Sequence, residues 1–336
     1  MKGCYAIMCR SIRWCFKVVA PTMEHMTRRD SLLAALVAVL WGFNFVVIDW
    51  GMGSVPPLLF AAIRFVLVAF PACLLVPRPR VPWRVLAAVG TFMSLGQFGF
   101  LYVSMHAGMP PGLAALVLQS QVVFTIVIAA VALRERTSRA QVAGVGLGVV
   151  GLVVVALGRD GHVGLGALLL CLLAGLSWGI GNVVARAARV PGGLGLTVWS
   201  AVVVPVPLLL LSLLIDGPHA MGTGLASAGW HAVLSTAYTV VMSTLVAYGI
   251  FNGLLARHPS GRVVPWVLLV PVVAMLCAWG LVGERPGSAE LAGAALLVVG
   301  VLVAQGVVRL RPAGPTPYTP RPRPEPVPAP PRPAER

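Results

Sequence analysis

Charge is what this sequence has least of. Of its 336 residues 10% are charged and 58% hydrophobic, with a mean hydropathy of +0.90; a soluble domain carries about 25% charged residues. That scarcity excludes an ordinary water-soluble fold. Acidic residues number only 10, and the lysines are two, Lys2 and Lys17. The six cysteines (Cys4, Cys9, Cys15, Cys73, Cys171 and Cys277) show neither CxxC nor zinc-finger spacing, which argues against a metal or redox centre. There is no GxSxG elbow, no HExxH, no histidine–carboxylate cluster inside an apolar run and no Walker lysine. Catalysis and ATP hydrolysis by this chain are therefore not expected, and neither is a cofactor. A membrane-embedded transferase would need a clustered catalytic group in an apolar run, and none is found.

What is there is apolar sequence in runs long enough to cross a bilayer. A spanning helix needs roughly 20 such residues. Ten runs qualify, near 31–50, 57–76, 84–105, 110–132, 139–157, 164–185, 195–215, 230–253, 261–282 and 288–307. They are continuous rather than alternating, which excludes a β-barrel. An all-α membrane protein of about ten transmembrane helices is expected. Prolines interrupt several runs (Pro71, Pro205, Pro207, Pro265 and Pro271) and should kink them.

The formal charge of +15 follows the loops and does not suggest nucleic acid. Between residues 27 and 311, Arg28, Arg29, Arg78, Arg80, Arg84, Arg134, Arg136, Arg139, Arg186, Arg189, Arg257, Arg262, Arg309 and Arg311 fall on one side of the ten-run plan. Only Arg159 and Arg285 fall on the other, 14 against 2. The positive-inside bias then puts both termini in the cytoplasm of an inner (plasma) membrane protein, with some attraction to anionic lipid. Residues 1–26 read either as a basic interfacial segment or, preferably, as the product of an upstream start, with Met23 or Met26 the real one. Residues 312–336, rich in proline and arginine, should be a disordered cytoplasmic tail.

The sequence also repeats itself. Leu40-Trp41-Gly42-Phe43-Asn44 returns as Ser177-Trp178-Gly179-Ile180-Gly181-Asn182. Leu133-Arg134-Glu135-Arg136, Ala143-Gly144 and Gly151 return at a constant offset of 149 as Val282-Gly283-Glu284-Arg285, Ala292-Gly293 and Gly300. This divides the chain into 27–160 and 161–311. Five runs per copy force the second copy into the membrane inverted, the architecture of secondary transporters with a site where the halves meet. Gly146-x-Gly148-x-x-Gly151 matches a dinucleotide fingerprint only formally. In mid-run it reads as close helix packing, with Gly144 and Gly148 at GxxxG spacing and Gly293 and Gly300 as counterparts.

Polar groups inside apolar runs mark where function should lie. Arg64 is the one basic residue clearly inside a run; it would hold a carboxylate in its planar donor fork or pair with Asp49. Trp41 and Asn44 share a helix face, as do Trp178 and Asn182, and both faces are expected to line a cavity. Gln97 joins them. Gln119 and Gln121, two residues apart, are not expected to point the same way, so one should face the cavity and the other a neighbouring helix, with Gln119 kept among the cavity candidates. Tyr248 is deep enough to contribute, whereas Trp199 and Trp266 read as interface anchors. Glu135 and Glu284, each followed by an arginine, should make a local ion pair or a helix-end contact, or else act in gating or carry a proton. Asp49 and Glu284 are the candidates for proton coupling.

The ten-run plan, the repeated Trp-Gly-x-Asn region and the Glu-Arg ends of runs four and nine resemble EamA-type members of the drug/metabolite transporter superfamily. The likeness is greatest to its O-acetylserine/cysteine exporter branch. It is carried by Val39–Ile48, Arg64–Ala72, Gly108–Gln119, Val198–Ala201, Tyr248–Ile250 and Leu268–Val273, and covers about residues 27–308. The resemblance implies export of small amino-acid metabolites coupled to the proton gradient. It leaves open other small metabolites or drugs as substrates, import, and a homodimer. The branch carries a basic residue where this chain has Asp49.

Overall fold

The computed structural model describes residues 26–307 except 54, 159–162, 191, 192 and 259. The tail 312–336 and, apart from Met26, the N-terminal extension lie outside the described residues.

Among the described residues the chain is all helix. In order come α1 (Arg28–Met52), α2 (Pro57–Leu75), α3 (Trp83–His106), α4 (Pro111–Ala132), α5 (Arg139–Leu157) and α6 (Leu165–Ala187). There follow α7, a pair of segments (Leu194–Ala201 and Pro205–Ile215) bent by 40°, then α8 (Gly217–Ala226), α9 (Trp230–Arg257), α10 (Arg262–Val282) and α11 (Ser288–Ala304). Eight are long and apolar enough to cross a membrane, nine if the bent pair counts as one. The tenth expected run forms α11, whose 17 residues rise only about 25 Å at 1.5 Å per residue. The run-reading missed α8, because a Gly- and His-containing segment has no apolar stretch to announce it.

Local chemistry sets several boundaries. The Thr27 hydroxyl accepts from the Asp30 amide at 3.1 Å, starting α1 earlier than hydropathy suggests. Ser138 and Gln141 form a reciprocal capping box that starts α5. The bend in α7 falls where Pro205 begins its second segment, since proline cannot donate to the preceding turn.

The sequence repeat extends to backbone irregularities. A π-helical segment occupies Thr91–Gly96 in α3, and another occupies Tyr238–Val246 in α9. α4 breaks at Leu118–Gln119; α10 breaks at Leu268. Both then end in the same left-handed turn. Arg134 has φ +54° and Gly283 φ +75°. The next amide reaches back six residues, Glu135 to Ala129 at 3.4 Å and Glu284 to Ala278 at 3.2 Å, one residue further than the Schellman bond that commonly closes a helix end. Each pair of equivalents lies about 149 residues apart.

Packing repeats as well. α1 lies against α9 and α10, and α6 against α3 and α4. A Cβ on Gly42 would sit 2.6 Å from Val273 Cβ, and one on Gly179 would sit 2.8 Å from Phe124 Cβ. Phe124 and Val273 are themselves 149 apart, so the two copies meet through corresponding contacts. α5 and α11 run antiparallel. Gly144 faces the Gly300 backbone and Gly151 that of Gly293. Gly148 packs on Val123 and Leu297, but Gly146 faces open space. The expected small-residue seam is therefore real, with Gly146 outside it.

Candidate functional site

Between the two copies lies a cavity of about 340 Å³, within the size range of small-molecule sites. All eight of Trp41, Asn44, Arg64, Gln97, Gln119, Trp178, Asn182 and Tyr248 line it. Gln121 lines it too, against expectation. A continuous helix would separate positions two apart, but α4 breaks at Leu118–Gln119 and turns both side chains inward. The lining reaches Val264 and Gln305, toward the arginine-rich loops, and does not include Glu284 or Asp49.

Arg64 on α2 is the cavity's one charged side chain among the described residues, and it is only 3% exposed. Nη1 donates to the Tyr102 hydroxyl at 3.3 Å and Nη2 to Thr244 Oγ1 at 3.1 Å. The Thr244 hydroxyl in turn donates to the Thr239 carbonyl at 2.7 Å, within the π-helical segment of α9. That donation leaves the Thr244 oxygen as the acceptor Arg64 needs. The guanidinium lies 4.3 Å from the Phe98 ring centre, a cation–π contact worth up to about 2 kcal/mol when desolvated. Its Nε has no partner. The described ion pairs do not include Arg64 with Asp49. A buried charge without a counter-ion costs several kcal/mol, so this cationic site is chemically incomplete without an anion.

The walls are aromatic and amide. The Trp41 indole donates to the Ser243 carbonyl at 2.9 Å, and its ring packs at 4.9 Å on Tyr248 and 5.2 Å on Phe251. Asn182 donates to Gln121 Oε1 at 2.9 Å and Thr125 Oγ1 at 3.2 Å. Asn44 Oδ1 is buried and unpartnered. The cavity thus offers a free amide acceptor on the first copy and a preformed amide cluster that joins Asn182 of the second copy to Gln121 and Thr125 of the first.

Several expectations need correction. Glu135 pairs not with its neighbour Arg136 but with Arg186 of α6, at 2.8 Å on the surface. Among the described residues Glu284 pairs with no arginine. It accepts from the backbone amides of Gly112 at 2.9 Å and Leu113 at 3.2 Å, at the start of α4. Burial pushes its carboxyl above the usual range, the two amides pull against that, and the charges of Glu290 and Asp49 add to the rise. Trp266 is no interface anchor, being packed with Met26, Ala34, Leu254 and Val263. Trp199 donates to the Val76 carbonyl at 2.9 Å, tying α7 to the end of α2. Asp30 joins His258 at 2.8 Å and Arg257 at 3.0 Å, a link between α1 and α9 that sequence spacing gives no sign of.

The pattern of the EamA-like transporter family matches twice, over residues 30–157 and 165–305. A protein of Salmonella typhimurium described as a probable amino-acid metabolite efflux pump is 42% identical over 284 residues, covering 83% of this chain and 95% of that protein. An Escherichia coli K12 protein of the same description is 40% identical over 295 residues, covering 86% and 98%. The uncharacterized inner membrane transporter YedA of the same strain is 26% identical over 294 residues, covering 84% and 94%. A solved crystal structure aligns over 86% of this chain and all of its own length with TM-score 0.59 and 23% identity, which speaks to the fold alone.

Proposed function

The chain belongs to the EamA-like transporter family, and we propose that it exports small amino-acid metabolites, of the cysteine or O-acetylserine kind, from the cytoplasm. It is a membrane efflux transporter, not an enzyme. In our reading ten transmembrane helices form two inverted repeats, 27–160 and 161–311, with α7 and α11 as the seventh and tenth spans. Both termini face the cytoplasm, following the arginine-rich loops. The cavity then opens toward the cytoplasm in this conformation, and alternating access would expose it to the other side.

The observation that carries this reading is Arg64, a buried guanidinium in the cavity with no carboxylate partner among the described residues. A substrate carboxylate supplies the missing charge, received by a donor fork that Tyr102 and Thr244 hold in place. The free Asn44 oxygen suits a substrate amino or hydroxyl group, and the aromatic walls suit its short apolar part. Efflux of lipophilic cations is disfavoured, because the one charged group lining the cavity among the described residues is itself a cation. Proton coupling falls to Asp49 and Glu284, both outside the lining.

Labelled cysteine and O-acetylserine accumulation in inside-out vesicles, with and without an imposed proton gradient, tests the proposal. Gradient-dependent uptake above empty vesicles is the expected result. Uptake indifferent to the gradient would remove proton coupling, and no uptake by folded protein would remove these substrates.

A further inference from the structure

Glu135 and Glu284 are presented by the same backbone device. Each follows a residue of positive φ, Arg134 or Gly283, and each amide closes the same six-residue bond to Ala129 or Ala278. Their engagement differs. Glu284 reaches across to the other repeat and accepts from the amides of Gly112 and Leu113. These are first-turn donors with no partner inside their own helix, and the positive end of the helix dipole favours a carboxylate there. Glu135 sits on the surface with Arg186, its side chain 43% exposed.

The receiving positions correspond too. Gly112 and Leu113 lie 149 residues before Gly261 and Arg262, in the first turn of the helical segment Ser260–Val267, which leads into α10. A Cβ on Gly112 would sit 2.9 and 3.0 Å from the two Glu284 oxygens and 3.0 Å from Met275 Cα. Glycine at 112 is therefore what lets the carboxylate approach. The equivalent position, 261, is also glycine.

We propose that Glu284 and Glu135 are paired gate residues that work in alternation. Glu284 closes the outer end in the present conformation by holding the amides of Gly112 and Leu113. Glu135 leaves Arg186 and closes the inner end on the amides of Gly261 and Arg262 when the outer contact breaks. Because the two contacts are images of one another, breaking either one drives the protein toward the state that the other holds. This inference rests on the alternating-access reading above and adds to it which groups hold each state.

The test is pulsed electron paramagnetic resonance on the full chain in lipid nanodiscs, with native cysteines replaced and no substrate added. One spin-label pair spans the outer end (Ala107→Cys with Ser288→Cys) and one the inner end (Thr137→Cys with Ala256→Cys). Glu284→Ala should lengthen the outer distance and shorten the inner one, shifting the ratio of the two states roughly tenfold, as expected for losing charge-assisted hydrogen bonds. Glu135→Ala should shift it the opposite way. Gly261→Val, which blocks the approach without touching either glutamate, should act like Glu135→Ala. Two states whose ratio none of the variants alters, or both alanine variants shifting it the same way, would overturn the gate alone. A single distance in every form of the protein, wild type included, would overturn the gate together with alternating access.

Discussion

The two copies share a frame but not a chemistry. π-helical segments, helix breaks, left-handed turns and tight glycine contacts recur at corresponding places. Arg64 has no counterpart. The offset of 137 residues that relates Gly42 to Gly179 places Ala201 opposite it, at the end of the first α7 segment. Nor do the asparagines match in state, since Asn182 is tied into an amide cluster while Asn44 keeps a free oxygen. Duplication thus supplies the shared frame, and among the described residues the cavity's buried charge belongs to the first copy alone. In the proposed carrier, one guanidinium at the meeting point would serve both orientations.

The strongest test of that division is to remove the charge. Arg64→Ala should bring vesicle uptake down to the level of empty vesicles while protein remains folded in the membrane. Arg64→Lys should restore little, because an ammonium cannot donate to Tyr102 and Thr244 and still present a planar fork to a carboxylate. Substantial uptake by Arg64→Ala would show that the asymmetry between the copies is incidental to transport.

Substitutions in the shared frame should cost similarly in both halves. Gly42→Ala and Gly179→Ala each place a Cβ within 2.8 Å of a neighbour on the facing helix. Overpacking of this kind costs about 1–3 kcal/mol. Gly42→Ala should be the worse, since its Cβ also meets the Val270 carbonyl oxygen at 2.8 Å. Gly146→Ala, facing open space, should leave thermal stability in detergent unchanged. A large loss for only one of the first two would mean that the halves do not carry equivalent packing.

How much of this was legible follows from what hydrophobic sequence can reveal. The eight cavity residues stood out because a polar or aromatic group in an apolar run needs a reason to be there, and the chain folds them around one space. Gln121 was hidden by the break at Leu118–Gln119, which no proline or glycine at those two positions announces. Tyr102 and Thr244 were hidden differently. A threonine hydroxyl in a membrane helix ordinarily bonds its own backbone, and only the three-dimensional approach of α2 to α3 and α9 sets Tyr102 and Thr244 against Arg64. The repeat showed Glu135 and Glu284 to be equivalent, but their partners come from packing between copies, which residue spacing along one chain does not encode.

The supports of Arg64 predict a smaller effect. Thr244→Val keeps the shape but removes both the acceptor and the link to the Thr239 carbonyl. It should raise the KM for a carboxylate substrate by about tenfold, as expected for one hydrogen bond to a charged group, with less change at saturation. Thr244→Ser should recover most of this. An effect on protein yield with no change in KM would assign Thr244 to folding of the π-helical segment instead.

The smallest effect concerns pH, and its sign follows from linkage. The Glu284 carboxyl is pushed up by burial at the start of α4 and by the nearby charges of Glu290 and Asp49, against the pull of two amides. In the open form, exposed to water, it would return to the ordinary range near 4.5. The closed form therefore binds the proton more tightly, and acid at that end favours closure. That advantage is full below the ordinary carboxyl pKa and disappears as pH rises through the raised one. The outer spin-label pair should accordingly show a larger closed fraction in mild acid than at neutral pH. Glu284→Gln, which keeps an acceptor but cannot titrate, should flatten the dependence, while the equivalent change at the exposed Glu135 should leave it intact. A pH response that survives Glu284→Gln would move the titrating group to Asp49 or Glu290, and with it the one difference between the copies that a proton gradient could act on.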